Sequence, residues 1–133
     1  MKTLFKTMLP FVMLFIANAT LHAISNPQNN LVYNTEKVGD LVVSETILKL
    51  EDGLLSNFMK HNYKYDANNQ RTEDETQKWN SSKNRWENDL CIRYIYNDNS
   101  VTTEYYKWNK KKKEYILVPE MTVATPYFSV RSL

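Results

Sequence analysis

The stretch Lys78-Trp79-Asn80 returns as Lys107-Trp108-Asn109, 29 positions later (108 − 79). Around it runs a longer echo. Tyr63-Lys64-Tyr65-Asp66 is answered by Tyr94-Ile95-Tyr96-Asn97, and Trp86-Glu87 more loosely by Glu114-Tyr115. Asn and Asp clusters separate runs rich in Tyr, Trp, Thr and Val at hairpin spacing. That pattern predicts an all-β, antiparallel meander of about five to six strands, built from a duplicated hairpin unit.

Working outward, residues 71–79, 85–96, 101–108 and 114–125 read as strands, and residues 41–50 as another. Asp52-Gly53 suits a tight hairpin turn, since Gly accepts the positive φ such turns require. Residues 54–65 fit either a short amphipathic helix over 54–60 running into a strand, or a strand throughout. The echo favours a strand, because Leu55 aligns with Trp86 and Met59 with Leu90. The chain has only two glycines, so its turns must draw on Asn and Asp, which tolerate left-handed backbone.

Alternation in residues 85–96 places Trp86, Leu90, Ile92, Tyr94 and Tyr96 on one face. Glu87, Asp89, Cys91 and Arg93 then occupy the other. The next strand has two settings. A two-residue turn at Asp98-Asn99 sends Tyr105 to the aromatic face, and a three-residue turn sends Tyr106 and Trp108 there. The echo favours Trp108 sharing the face of Trp79.

Residues 1–23 have the grammar of a signal peptide: Lys2 and Lys6, an apolar run over 8–16, then small residues permitting cleavage after Ala19 or Ala23. The run is shorter than the roughly 20 residues of a membrane span. No cysteine follows either cleavage point to carry a lipid, so the expected location is the periplasm or the extracellular space. Residues 24–40 are expected to form an irregular arm with at most one short strand at 31–33, residues 41–125 the β domain, and residues 126–133 a tail.

The chain has 17 basic and 15 acidic residues; without Lys2 and Lys6 the balance is 15 against 15. Neutrality argues against a nucleic-acid partner. Cys91 is the only cysteine, so no disulfide can form within the chain, and it reads as a small apolar sheet residue. Glu73-Asp74-Glu75 is expected to be a solvated strand face, because alternation sends Asp74 away from the other two. His61 lacks the companion histidines of a catalytic zinc site and the Gly-x-Ser-x-Gly elbow of a hydrolase, so it reads as an ordinary strand residue. No metal, cofactor or catalytic residue is expected.

Two features suggest a working surface. Trp79, Trp86, Trp108 and Tyr106 are aromatics that a thin sheet has difficulty hiding. Lys110, Lys111, Lys112 and Lys113 form a basic hairpin tip at its rim. The expectation is a non-catalytic interaction or structural module. A glycan-binding module using the Trp/Tyr face is the alternative, and the candidate partners are a protein, a glycan, or a second copy through the sheet face or edge.

The signal peptide, the run Ser25-Asn26-Pro27-Gln28-Asn29-Asn30, and the stretches 78–90 and 107–120 together resemble a family of short exported Bacteroidetes proteins, the domain of unknown function 3836. The resemblance extends to about Val123 and implies export without assigning catalytic residues. The Tyr-x-Tyr-Asp opening with Arg71 is also similar to tyrosine-aspartate repeats of large exported bacterial proteins, although Asn97 replaces Asp in the second copy.

Overall fold

A computed structural model describes residues 18–22 and 30–126. It contains nine antiparallel strands, more than the five to six expected: β1 Asn18–His22, β2 Leu31–Val38, β3 Leu41–Glu51, β4 Leu54–Tyr65, β5 Arg71–Asn80, β6 Arg85–Tyr96, β7 Ser100–Asn109, β8 Glu114–Leu117 and β9 Val123–Pro126. Strands β1 to β8 lie in chain order in one sheet, and β9 returns to β7. The strand foreseen over 114–125 is interrupted by a 3-10 turn at Pro119–Met121, because Pro119 has no N–H for the ladder. β8 and β9 therefore pair successive halves of β7. The segment expected to be an irregular arm supplies the full strand β2, paired throughout with β3. The apolar run over 8–16 and residues 127–133 lie outside the described residues.

The turns follow the residue chemistry. Asp52 and Gly53 both take positive φ, 50° and 78°. Asp66 Oδ1 accepts the amides of Asn68 and Gln70 at 2.8 and 2.9 Å. The two Lys-Trp-Asn triplets end in turn-capping asparagines: Asn80 Oδ1 accepts the Lys83 amide, and Asn109 Oδ1 those of Lys111 and Lys112. Each turn closes on a left-handed residue, Asn84 (φ 49°) in the first and Lys113 (φ 56°) in the second.

Bulges decide which side chains share a face. The pairings skip Val43 on β3, Phe58 on β4, Thr72 on β5 and Asp89 on β6. An unpaired residue reverses the alternation beyond it. Trp86 pairs with Trp79, whereas Leu90 pairs with Thr76 on the opposite side. Trp86 is thus parted from Leu90, Ile92, Tyr94 and Tyr96, and Glu87 from Cys91 and Arg93, contrary to the simple alternation. Trp79, Trp86, Cys91, Arg93, Tyr106 and Trp108 belong to one face, here the tryptophan face. Tyr63, Ile92, Tyr94, Tyr96 and Tyr105 belong to the tyrosine face. The turn before β7 is the two-residue one, with Asn97 donating to the Ser100 carbonyl at 2.8 Å. The two-residue setting therefore holds, with Tyr105 opposite Ile92 and Tyr106 and Trp108 off that face, and Trp108 still shares the face of Trp79 because the bulge at Asp89 puts the tryptophans on the other side.

Little of this sheet is interior. Among the described residues the buried apolar side chains are Ile47 and Cys91, with Ser44 and Thr76 as buried polar ones. Tyr115 of β8 nonetheless faces Glu75 of β5 closely enough for that carboxylate to push its hydroxyl pKa up, after burial as the larger cause. Tyr115 shares the tryptophan face with Trp108, its cross-strand partner, and its side chain reaches along that face toward β5.

With so few buried groups, their removal should be felt in full. Ile47→Ala is expected to lower unfolding free energy by about 2 kcal/mol. Leu54→Ala, at a position 74% exposed, should stay within about 0.5 kcal/mol. Urea titration of both variants checks the contrast.

Candidate functional site

The tips of the β5–β6 and β7–β8 hairpins lie side by side and enclose an open cleft of about 430 Å³. Its lining is Lys83, Arg85, Trp86, Glu87, Asn88, Trp108, Lys110 and Lys113. Of the residues expected from sequence, the cleft gathers Trp86, Trp108, Lys110 and Lys113. Trp79 stands behind Trp86, ring centroids 5.1 Å apart at 66°. Trp108 is held in the same edge-to-face way by Tyr115, at 4.9 Å and 66°. Tyr106 lies elsewhere on that face, under the Arg93 guanidinium at 4.4 Å and donating to Glu104 at 2.6 Å. Lys111 and Lys112 are exposed outside the cleft, with Lys112 3.9 Å from Glu114.

Sequence reasoning missed Lys83, Arg85, Glu87 and Asn88. The signal was available in Lys83 and Arg85, the basic pair flanking the first tip, which reads as only weakly basic beside the four lysines of the second. Glu87 is the joint between the tips: it meets Lys83 at 3.2 Å and Arg85 at 3.4 Å from its own hairpin, and Lys110 at 3.1 Å from the next. Hydrogen bonds from Lys110 and Lys83 hold its carboxyl down to about 2, well below the usual range.

The acidic run is not the solvated face expected. Glu73 and Glu75 do share the tryptophan face and Asp74 the other, but Glu73 and Asp74 side chains are only 17% and 13% exposed. Glu73 bridges Lys64 (2.7 Å) and Arg93 (3.3 Å), and Asp74 meets His61 Nδ1 at 3.0 Å. A half-buried carboxylate must be paired, and each has its partner. Thr76 Oγ1 also approaches His61 Nδ1, at 3.3 Å. Asp and hydroxyl therefore compete for one ring nitrogen, whereas a nucleophilic relay needs them on opposite nitrogens. Cys91 is fully buried, and burial pushes its thiol up to about 11, so it is not a ready nucleophile. Among the described residues no group of His, Cys, Asp and Glu is arranged to hold a metal, and no helix is long and apolar enough to cross a membrane.

An open, single-layer antiparallel meander with its residues of interest at the hairpin tips defines the class. A family model, described as a family of unknown function (DUF3836), matches residues 1–126, and the chain belongs to that family. It is similar to a DUF3836 family protein from Bacteroides vulgatus, 74% identical, covering 73% of this chain and 99% of that one, with a TM-score of 0.71. A DUF3836 family protein from Parabacteroides distasonis shares the fold at 24% identity, covering 74% and 90%, with a TM-score of 0.64. A Bacteroides fragilis protein of unknown function is 28% identical, covering 69% and 68%, with a TM-score of 0.62. No match is found among curated proteins. Nothing in these comparisons supports the similarity to tyrosine-aspartate repeats.

His61 allows a test of the tyrosine face. Its pKa is raised above the ordinary 6.5, chiefly by the hydrogen bond to Asp74, against the opposing effect of burial. A raised folded-state pKa contributes stability that is complete below the unfolded value and lost as pH rises through the folded one. The denaturation midpoint should therefore fall in the window that opens near pH 6.5 as pH rises, and His61→Gln should flatten that fall. A wild-type midpoint that rises over this window would contradict the assignment.

Proposed function

We propose that this protein is an exported, non-catalytic interaction or structural module of the bacterial envelope or the space outside it. The observation that carries the reading is the scarcity of interior. Among the described residues only Ile47 and Cys91 are buried apolar side chains, although the sheet has nine strands. A fold with two open faces and little core presents surface, and large exposed patches mark interaction sites. The matching turn caps and bulges 29 and 31 positions apart (72 − 43 and 89 − 58) support a duplicated hairpin as the origin of that surface.

Export follows from the N-terminal pattern. Cleavage after Ala23 would remove β1 and leave β2 as a free edge, an opening for a second copy through strand addition. Mass spectrometry of protein released by its host should find a chain starting at Thr20 or Ile24. An intact Met1 on protein retained in the cytoplasm would refute export.

A second reading, glycan binding through the aromatic face, is favoured by the cleft between Trp86 and Trp108. Ring faces stack on sugars, and a few polar groups fix orientation. A glycan array read together with light scattering separates the two. Saccharide binding lost in Trp108→Ala, by about 2 kcal/mol, supports the glycan reading. A dimer without saccharide binding supports the structural module. A variant that simply unfolds, while lysine substitutions alone abolish binding, would make the aromatics core.

A further inference from the structure

We infer that the cleft between the two hairpin tips binds an acidic saccharide, whose carboxylate or sulfate groups meet Lys83, Arg85, Lys110 and Lys113 while a sugar ring lies against Trp86 or Trp108. The inference rests on the glycan reading above and adds the charge of the ligand.

Charge is the first reason. Four cations line the cleft against one carboxylate, Glu87. That carboxylate already serves Lys83, Arg85 and Lys110. Lys113 makes no ion pair among the described residues. An anion entering here would meet a surplus of positive charge converging from two hairpin tips on a concave wall.

The second reason is backbone geometry. Lys113 holds φ 56°, the left-handed region that glycine or asparagine occupies more easily. The corresponding residue of the neighbouring tip is Asn84, at φ 49°. A lysine held in a conformation that asparagine tolerates better places an ammonium at the mouth of the cleft at some cost in stability.

Third, the indoles are braced. Trp79 and Tyr115 meet Trp86 and Trp108 edge to face, each at 66°, so both rings have fixed planes before a ligand arrives. Asn88 adds an amide able to donate to and accept from sugar hydroxyls. A volume of about 430 Å³ falls within the range of small-ligand pockets.

The test titrates the purified protein by calorimetry and tryptophan fluorescence with four probes of similar length. They are an oligogalacturonate, a sulfated heparin-derived oligosaccharide, a neutral malto-oligosaccharide and inorganic polyphosphate. Binding of either acidic saccharide about tenfold or more tighter than the neutral one, weakening with salt, is the expected result. Because the heparin-derived probe carries both groups and the oligogalacturonate only carboxylates, binding of the heparin probe alone assigns sulfate and binding of the oligogalacturonate shows that carboxylate suffices. Lys113→Asn should weaken that binding several-fold while leaving the melting temperature equal or higher, which separates a lost contact from a lost fold. Trp108→Ala should weaken both acidic and neutral saccharides. Equal binding of neutral and acidic saccharides would overturn the charge inference and leave the glycan reading standing. Polyphosphate binding as tight as the acidic saccharides, insensitive to Trp86→Ala and Trp108→Ala, would reduce the cleft to an ion-exchange surface and overturn it. Failure of every saccharide would overturn both.

Discussion

The backbone ladder carries this structure. In most domains a buried core fixes the elements, and hydrogen bonds follow. Here the described residues offer Ile47 and Cys91 as interior, and nine strands are held edge to edge by their amides and carbonyls. Side chains assist the ladder more than they replace it. Cross-strand pairs such as Trp79 with Trp86, Lys64 with Glu73 and His61 with Asp74 tie neighbouring strands on each face. The Tyr65 and Tyr96 hydroxyls reach to the Val42 and Arg71 carbonyls on the next strand. Each such contact is modest, and their number along the sheet is what matters.

Much of the architecture was legible because turn chemistry is local. Asn80 and Asn109 cap their turns with their own side chains, and Asp52-Gly53 takes positive φ at both positions. Strand β6 has the bounds that alternation and turns suggested. The bulges were not legible. Asp89 carries no mark that sets it apart from a paired residue, yet it sends Trp86 and Leu90 to opposite faces. Length was misjudged at the ends for another reason. β2 opens on Leu31-Val32-Tyr33 and turns polar over 34–37, and beyond Tyr33 its strand state comes from pairing with β3.

The cleft shows the same division. Its aromatics and second tip could be singled out from composition. That Glu87 would gather cations from both tips depends on how adjacent hairpins lie together, which no single hairpin records. The acidic run misled in the opposite direction. Three adjacent carboxylates look solvated in a sequence, and side chains from the neighbouring strands, Lys64 and Arg93 on one face and His61 on the other, half-bury Glu73 and Asp74.

A sheet one layer thick has a mechanical consequence. The extensive packing is all between strands adjacent in the ladder, so the molecule behaves as a nearly one-dimensional array. Each hairpin stands on its own closure plus one interface to the next, as in repeat proteins. Such an array has no single keystone. Openings start at the outermost strands and travel inward, and the centre, β4 to β6, exchanges its amide protons last. Contacts so local in sequence also favour rapid assembly. Strands lost from either margin would shorten the array without dissolving it.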